Sequence, residues 1–142
     1  MKYSNHREAY RQTYFAVWQK YQKKISLDSL EQHLLDIILQ HPEYHALLEK
    51  PEIYEQQEFS TEENPFLHMS LHLAMHEQIQ TNRPASVAGI YQQLLCKTEI
   101  YPDRHAVEHA MMTCLAQVLS MAQQMGKLAD EEDYVKKLRD LV

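Results

Sequence analysis

Only two glycines, Gly89 and Gly126, punctuate the chain's 142 residues. A polypeptide so short of glycine has few positions for the tight turns that a strand-rich fold needs at each hairpin. Leu, Ala, Met, Glu, Gln and Lys are plentiful, and these residues lose least on entering a helix. No run alternates apolar and polar residues between turn signals, so nothing supports an all-β reading. The expectation is an all-α fold, a single-domain helical bundle of about five to seven helices over residues 1–142.

Start and stop signals divide the chain. Tyr10, Tyr14, Val17, Trp18 and Tyr21 recur at spacings of three and four, predicting an apolar stripe on a first helix over residues 5–24. Asp28-Ser29-Leu30-Glu31 has the form of a capping box, and Leu30, Leu34, Ile37 and Ile38 form the inner face of the helix it opens. Pro42 ends or kinks that helix at His41 and opens a short one through Leu48. Residues 51–64 carry Glu52, Glu55, Glu58, Glu62 and Glu63 and are read as a functional flap or a loose linker. Asn64-Pro65 announces the next helix, which ends near Arg83-Pro84. Further helices are expected over residues 85–97 and 103–125, with Gly126 terminating the second and Asp130 capping a short last one.

The net charge of −6 conceals an asymmetry. Residues 1–24 hold Lys2, Arg7, Arg11, Lys20, Lys23 and Lys24 against Glu8 alone, which makes them +5 and the remainder −11. A basic first helix can meet an anionic partner, although a solvated face beside acidic neighbours is the commoner meaning of such charge. An acidic whole argues against nucleic acid as the main ligand. Cys96 and Cys114 form neither a CxxC nor a disulfide framework and read as reduced thiols. The N-terminus lacks a signal-peptide stretch, and the uncharged segment 109–126 contains glutamines, so a membrane span is not expected and a cytoplasmic location is.

The histidines carry the functional signal. Seven of nine fall in three segments with i, i+4 spacing: His41 and His45; His68, His72 and His76; His105 and His109. On a helix such side chains stand about 5–6 Å apart at Cβ and can ligate one ion together. Zinc and iron favour imidazole with carboxylate. Advancing about 100° per residue puts His68 and His72 on the apolar face of their helix with Met75 and Ile79, while His76 falls at the flank. His41 extends the inner face of the second helix. On the long helix Glu108 lies near the apolar edge, whereas His105 and His109 lie toward Thr113 and Gln117. Inward imidazoles need partners. The candidate metal ligands are therefore His41, His45, His68, His72, Glu108 and His109, with iron or zinc as the expected transition metal.

The strings His41-Pro42-Glu43-Tyr44-His45, Asn64-Pro65-Phe66-Leu67-His68 with Leu71-His72-Leu73-Ala74, and Glu108-His109 before Met112 and Cys114-Leu115-Ala116 give the chain a likeness. It resembles an uncharacterised proteobacterial family, domain of unknown function 1841, over nearly its whole length. The resemblance implies a bacterial single-domain protein with no established activity. Two positions depart from the pattern: Met75-His76 stands in place of a basic or polar pair, and Ser120 in place of tryptophan.

Two functions compete on the sequence. One is a metal-binding bundle, similar in its histidine-rich ligation to hemerythrin-like proteins at the level of fold. Iron would permit redox chemistry and zinc the activation of water; His105-Ala106-Val107-Glu108-His109 also matches the HxxEH string of some zinc peptidases, with Glu108 as base. The other is a non-enzymatic adaptor with hydrogen-bonded core histidines, whose basic helix or acidic segment meets a protein partner or a second copy of itself.

Overall fold

A computed structural model describes residues 2–142, with side chains described from Ala9 onward. The side chains of Lys2, His6, Arg7 and Glu8, which figure in the basic-helix and histidine readings, lie outside the described residues. The architecture is all-α. The helices are α1 (Lys2–Gln22), α2 (Ser29–Leu39), α3 (His45–Leu48), α4 (Pro51–Tyr54), α5 (Pro65–Thr81), α6 (Val87–Leu95), α7 (Arg104–Met125) and α8 (Glu131–Leu141), with a 3-10 turn at Pro42–Tyr44. Among the described residues no helix is long and apolar enough to cross a membrane.

The helices begin and end for local reasons. Asp28 accepts from the Glu31 amide at 2.8 Å while Glu31 accepts from the Asp28 amide at 3.1 Å, so two donors at the start of α2 are satisfied reciprocally. Asn64 Oδ1 accepts from the amides of Phe66 and Leu67, and Pro65 fits a first turn that has no need of its amide. Asp103 and Asp130 cap α7 and α8. Gly126 stops α7 in the left-handed region, at φ 66°.

The chain divides into two compact units, Met1–Leu73 and Ala74–Val142. In the first, α1 packs on α2 and α3. Its core gathers Tyr14, Phe15, Val17, Trp18, Leu34, Leu35, Ile37, Ile38, Leu48, Phe66 and Met69. Burying each such side chain contributes about 1.5–3 kcal/mol. Leu30, expected on the inner face of α2, is instead 57% exposed. It sits in the first turn of α2 with its side chain open to solvent.

The segment after α4 is not loose. Arg11, 2% exposed, sends Nη1 to the carbonyls of Tyr54, Glu55 and Gln57 at 3.0, 3.3 and 2.7 Å. Its guanidinium lies over the rings of Phe59 and Phe66. Gln12 adds a bond to the Glu55 carboxylate. Glu52, Glu58, Glu62 and Glu63 are exposed, on a backbone that α1 grips from within.

In the second unit α6, α7 and α8 pack on one another. Val87, Ile90, Leu94, Val107, Met111, Met112, Val118 and Leu138 are buried there. Tyr134 is buried too, its hydroxyl bonded to Gln78. Cys114 is buried, and that burial pushes its thiol pKa up; Cys96 is exposed, so only one thiol packs as an apolar group.

Candidate metal centre

His41 follows α2 with φ −126° and ψ 68°, a conformation outside the helix imposed by Pro42. The ring is 1% exposed, and its Nδ1–H donates to the Ile37 carbonyl at 2.8 Å. A carbonyl oxygen only accepts, so in the neutral ring this bond keeps the proton on Nδ1 and leaves the lone pair on Nε2. His72, on α5, is fully buried. Its ring centroid stands 4.7 Å from that of His41, and His68, half-buried one turn earlier, stands 4.9 Å from both. Three imidazoles thus form a compact triangle within the first unit. Tyr44 stacks on His41 at 5.3 Å with the rings 7° from parallel. Burial, reinforced by the Glu43 charge, raises the Tyr44 hydroxyl above its ordinary pKa.

His45 behaves differently. Its Nε2–H donates to the Ile38 carbonyl at 2.9 Å, and its ring packs on Trp18 with centroids 4.3 Å apart. It closes the end of α2 against α1.

In the second unit the central contact is between His76 Nε2 and Glu108 Oε1, at 2.7 Å. Glu108 is 6% exposed, as its place at the apolar edge of α7 predicts. A carboxylate buried this deeply requires a partner, and His76 supplies it. Tyr91 is buried nearby; burial raises its hydroxyl pKa and the Glu108 charge raises it further. His105 and His109, successive turns of α7, hold their rings 4.1 Å apart and are half-buried despite lying toward the polar side of the helix.

Sequence reasoning passed over His76 because it sits at the flank of the α5 apolar face. The usable signal was on the other helix: Glu108 points inward, and an inward carboxylate implies a cation or imidazole somewhere to meet it.

Among the described residues, histidine and glutamate side chains form groups whose ligand atoms lie within 4.8 Å of one another, close enough to hold a metal ion. His41 and His72 are the members in the first unit; His76, Glu108, His105 and His109 are those in the second. Two imidazole nitrogens on one zinc stand about 3.4 Å apart, from Zn–N bonds of about 2.0–2.1 Å, so modest closure brings such atoms to bonding geometry. His68 joins His41 and His72 through its ring contacts, and His45 stands apart on Trp18.

No curated protein and no solved structure matches the chain. Residues 6–140 match the family described as a domain of unknown function (DUF1841). That match runs through every histidine string just described, and the chain belongs to this family.

Proposed function

We propose that this chain is a metal-binding helical protein, taking iron or zinc at a histidine-rich centre. The observation that carries the reading is the buried His41–His72 pair, centroids 4.7 Å apart, with the lone pair of the neutral His41 ring left on Nε2 by the bond to the Ile37 carbonyl. Ligating imidazoles characteristically donate their other N–H to a carbonyl or carboxylate, and His41 already does so. The proposed donors of the first unit are His41, His68 and His72; Glu108 with His76, and His109 with His105, are those of the second. His45 is left out because its ring is committed to Ile38 and Trp18. A nitrogen-rich set with carboxylate and no thiolate suits iron or zinc.

The test is elemental analysis of protein purified without a histidine tag and then offered Zn²⁺ or, without oxygen, Fe²⁺. Near-stoichiometric retention is expected; less than about one-tenth equivalent of either ion defeats the reading. Metal at a hundred times its Kd stabilises the fold by about 2.7 kcal/mol, a rise of roughly 8 °C in melting temperature. His72→Ala, or His41→Gln where the first variant folds poorly, abolishes that rise whatever it does to the metal-free protein.

A further inference from the structure

We infer that this chain pairs with a second copy of itself through the C-terminal half of α7, where an apolar groove of the second unit lies open to water. The inference stands apart from the metal reading and uses none of its ligands. Residues 110–126 contain no Asp, Glu, Lys, Arg or His, in a chain of which 24% is charged. A helix face turned to water ordinarily carries charged and polar residues. Here charge is missing altogether, and Met121 and Met125 stand 56% and 57% exposed among Gln117, Ser120 and Gln124. The two methionines are one turn apart on the same side of α7. Beside them the buried Val118 and Ala122 line a groove of about 430 Å³ between α7 and α8. Leu128, 93% exposed on the turn after α7, carries the apolar surface to its edge.

The rim of the groove decides what fills it. Lys127, Lys136 and Lys137 line it together with Asp130, Asp133 and Asp140, three charges of each sign. A contact about a two-fold axis presents one surface to itself, so every rim charge must find its opposite in the other copy. A balanced rim meets that condition, in a chain whose net charge of −6 otherwise sets copies apart. A rim of one sign would have pointed to a different, oppositely charged partner. Area agrees. Met121, Met125 and Leu128 together leave roughly 400 Å² open per copy, the size at which a patch is commonly functional. Covering it on both copies, rim included, removes roughly 1,200 Å², the lower end for a specific dimer. Charge depletion with methionine enrichment also marks the centre of an interface. The flexible thioethers of Met121 and Met125 can then fill the partner copy's groove beside Val118 and Ala122.

Sedimentation velocity on the full chain, from about 1 to 100 μM with EDTA present so that no ion bridges two copies, reads the association. A concentration-dependent dimer is expected. Met121→Glu brings two carboxylates together at the contact and is expected to weaken the dimer at least about 100-fold. Met125→Glu replaces it if that variant folds poorly. Ile100→Glu, at an apolar residue 62% exposed outside the groove, is expected to leave the dissociation constant within about twofold. Charge reversal tests the rim. Lys136→Glu with Lys137→Glu, and Asp133→Lys with Asp140→Lys, should each weaken self-association, and mixing the two double variants should restore a heterodimer. An unmodified chain that stays monomeric throughout, or assembles beyond two copies, overturns the inference. So does a dimer that Met121→Glu leaves intact, an equal loss in Ile100→Glu, or a pair of double variants that do not recover on mixing.

Discussion

Replacing Arg11 with methionine isolates what one buried guanidinium contributes to the first unit. Nη1 has two hydrogens, so the carbonyls of Tyr54, Glu55 and Gln57 share two charged hydrogen bonds. At about 1.5–3 kcal/mol each, these amount to roughly 3–6 kcal/mol. The faces of Phe59 and Phe66, 5.3 and 4.9 Å from the guanidinium carbon, add about 1 kcal/mol. Against this, methionine keeps the apolar stem and escapes several kcal/mol of desolvation. The carbonyls it abandons lie in a partly exposed segment and regain water. The net expectation is a loss of about 3 kcal/mol, or roughly 10 °C in melting temperature for a chain of this size. Urea unfolding followed by circular dichroism measures it, and limited proteolysis should show faster cutting within residues 55–63. A loss below about 1 kcal/mol, with cutting unchanged, refutes the view that Arg11 holds this segment down.

Two further outcomes follow from the helix ends. The Lys20 ammonium, 2.6 Å away, and the Asp28 amide hold the Glu31 carboxyl below its usual pKa. A lowered folded value gives stability that is present above the unfolded pKa and lost as pH falls through the folded one. Melting temperature against pH should therefore drop less steeply in acid for Glu31→Gln than for the unmodified chain, and equal slopes would remove the argument. Gly126→Ala meets no steric neighbour, so its cost is backbone strain alone at φ 66°, about 1 kcal/mol in a urea titration; an unchanged midpoint would show that the α7 terminus relaxes freely.

Much of the fold was legible because its boundaries are local. The Asp28–Glu31 box, Asn64-Pro65, Asp103, Gly126 and Asp130 each act within a few residues, and each stands where the pattern put it. Of the two readings of residues 51–64, the loose linker fails for the opposite reason. Their order comes from Arg11, more than forty positions earlier in sequence, and no local signal records such a bond. The extra helix α4, at Pro51–Tyr54, belongs to the same anchored stretch. At the site, face analysis found His72 and Glu108 because their burial follows helix periodicity, and it found His41 although that residue stands just past the end of α2. It missed His76 because a flank position gains its meaning from a partner 32 residues away.

The placement of His68, His72 and His76 on successive turns of α5 makes that helix intolerant of insertions. One added residue between His68 and His72 turns everything before it by about 100° around the axis, so His68 leaves the face it shares with His72. The same insertion between Gly126 and Asp130, where Leu128 is 93% exposed, leaves the α7 terminus and the α8 cap each able to form. Length variation in this chain should therefore collect after α7 and be purged from α5, a pattern set by rotation about a helix axis.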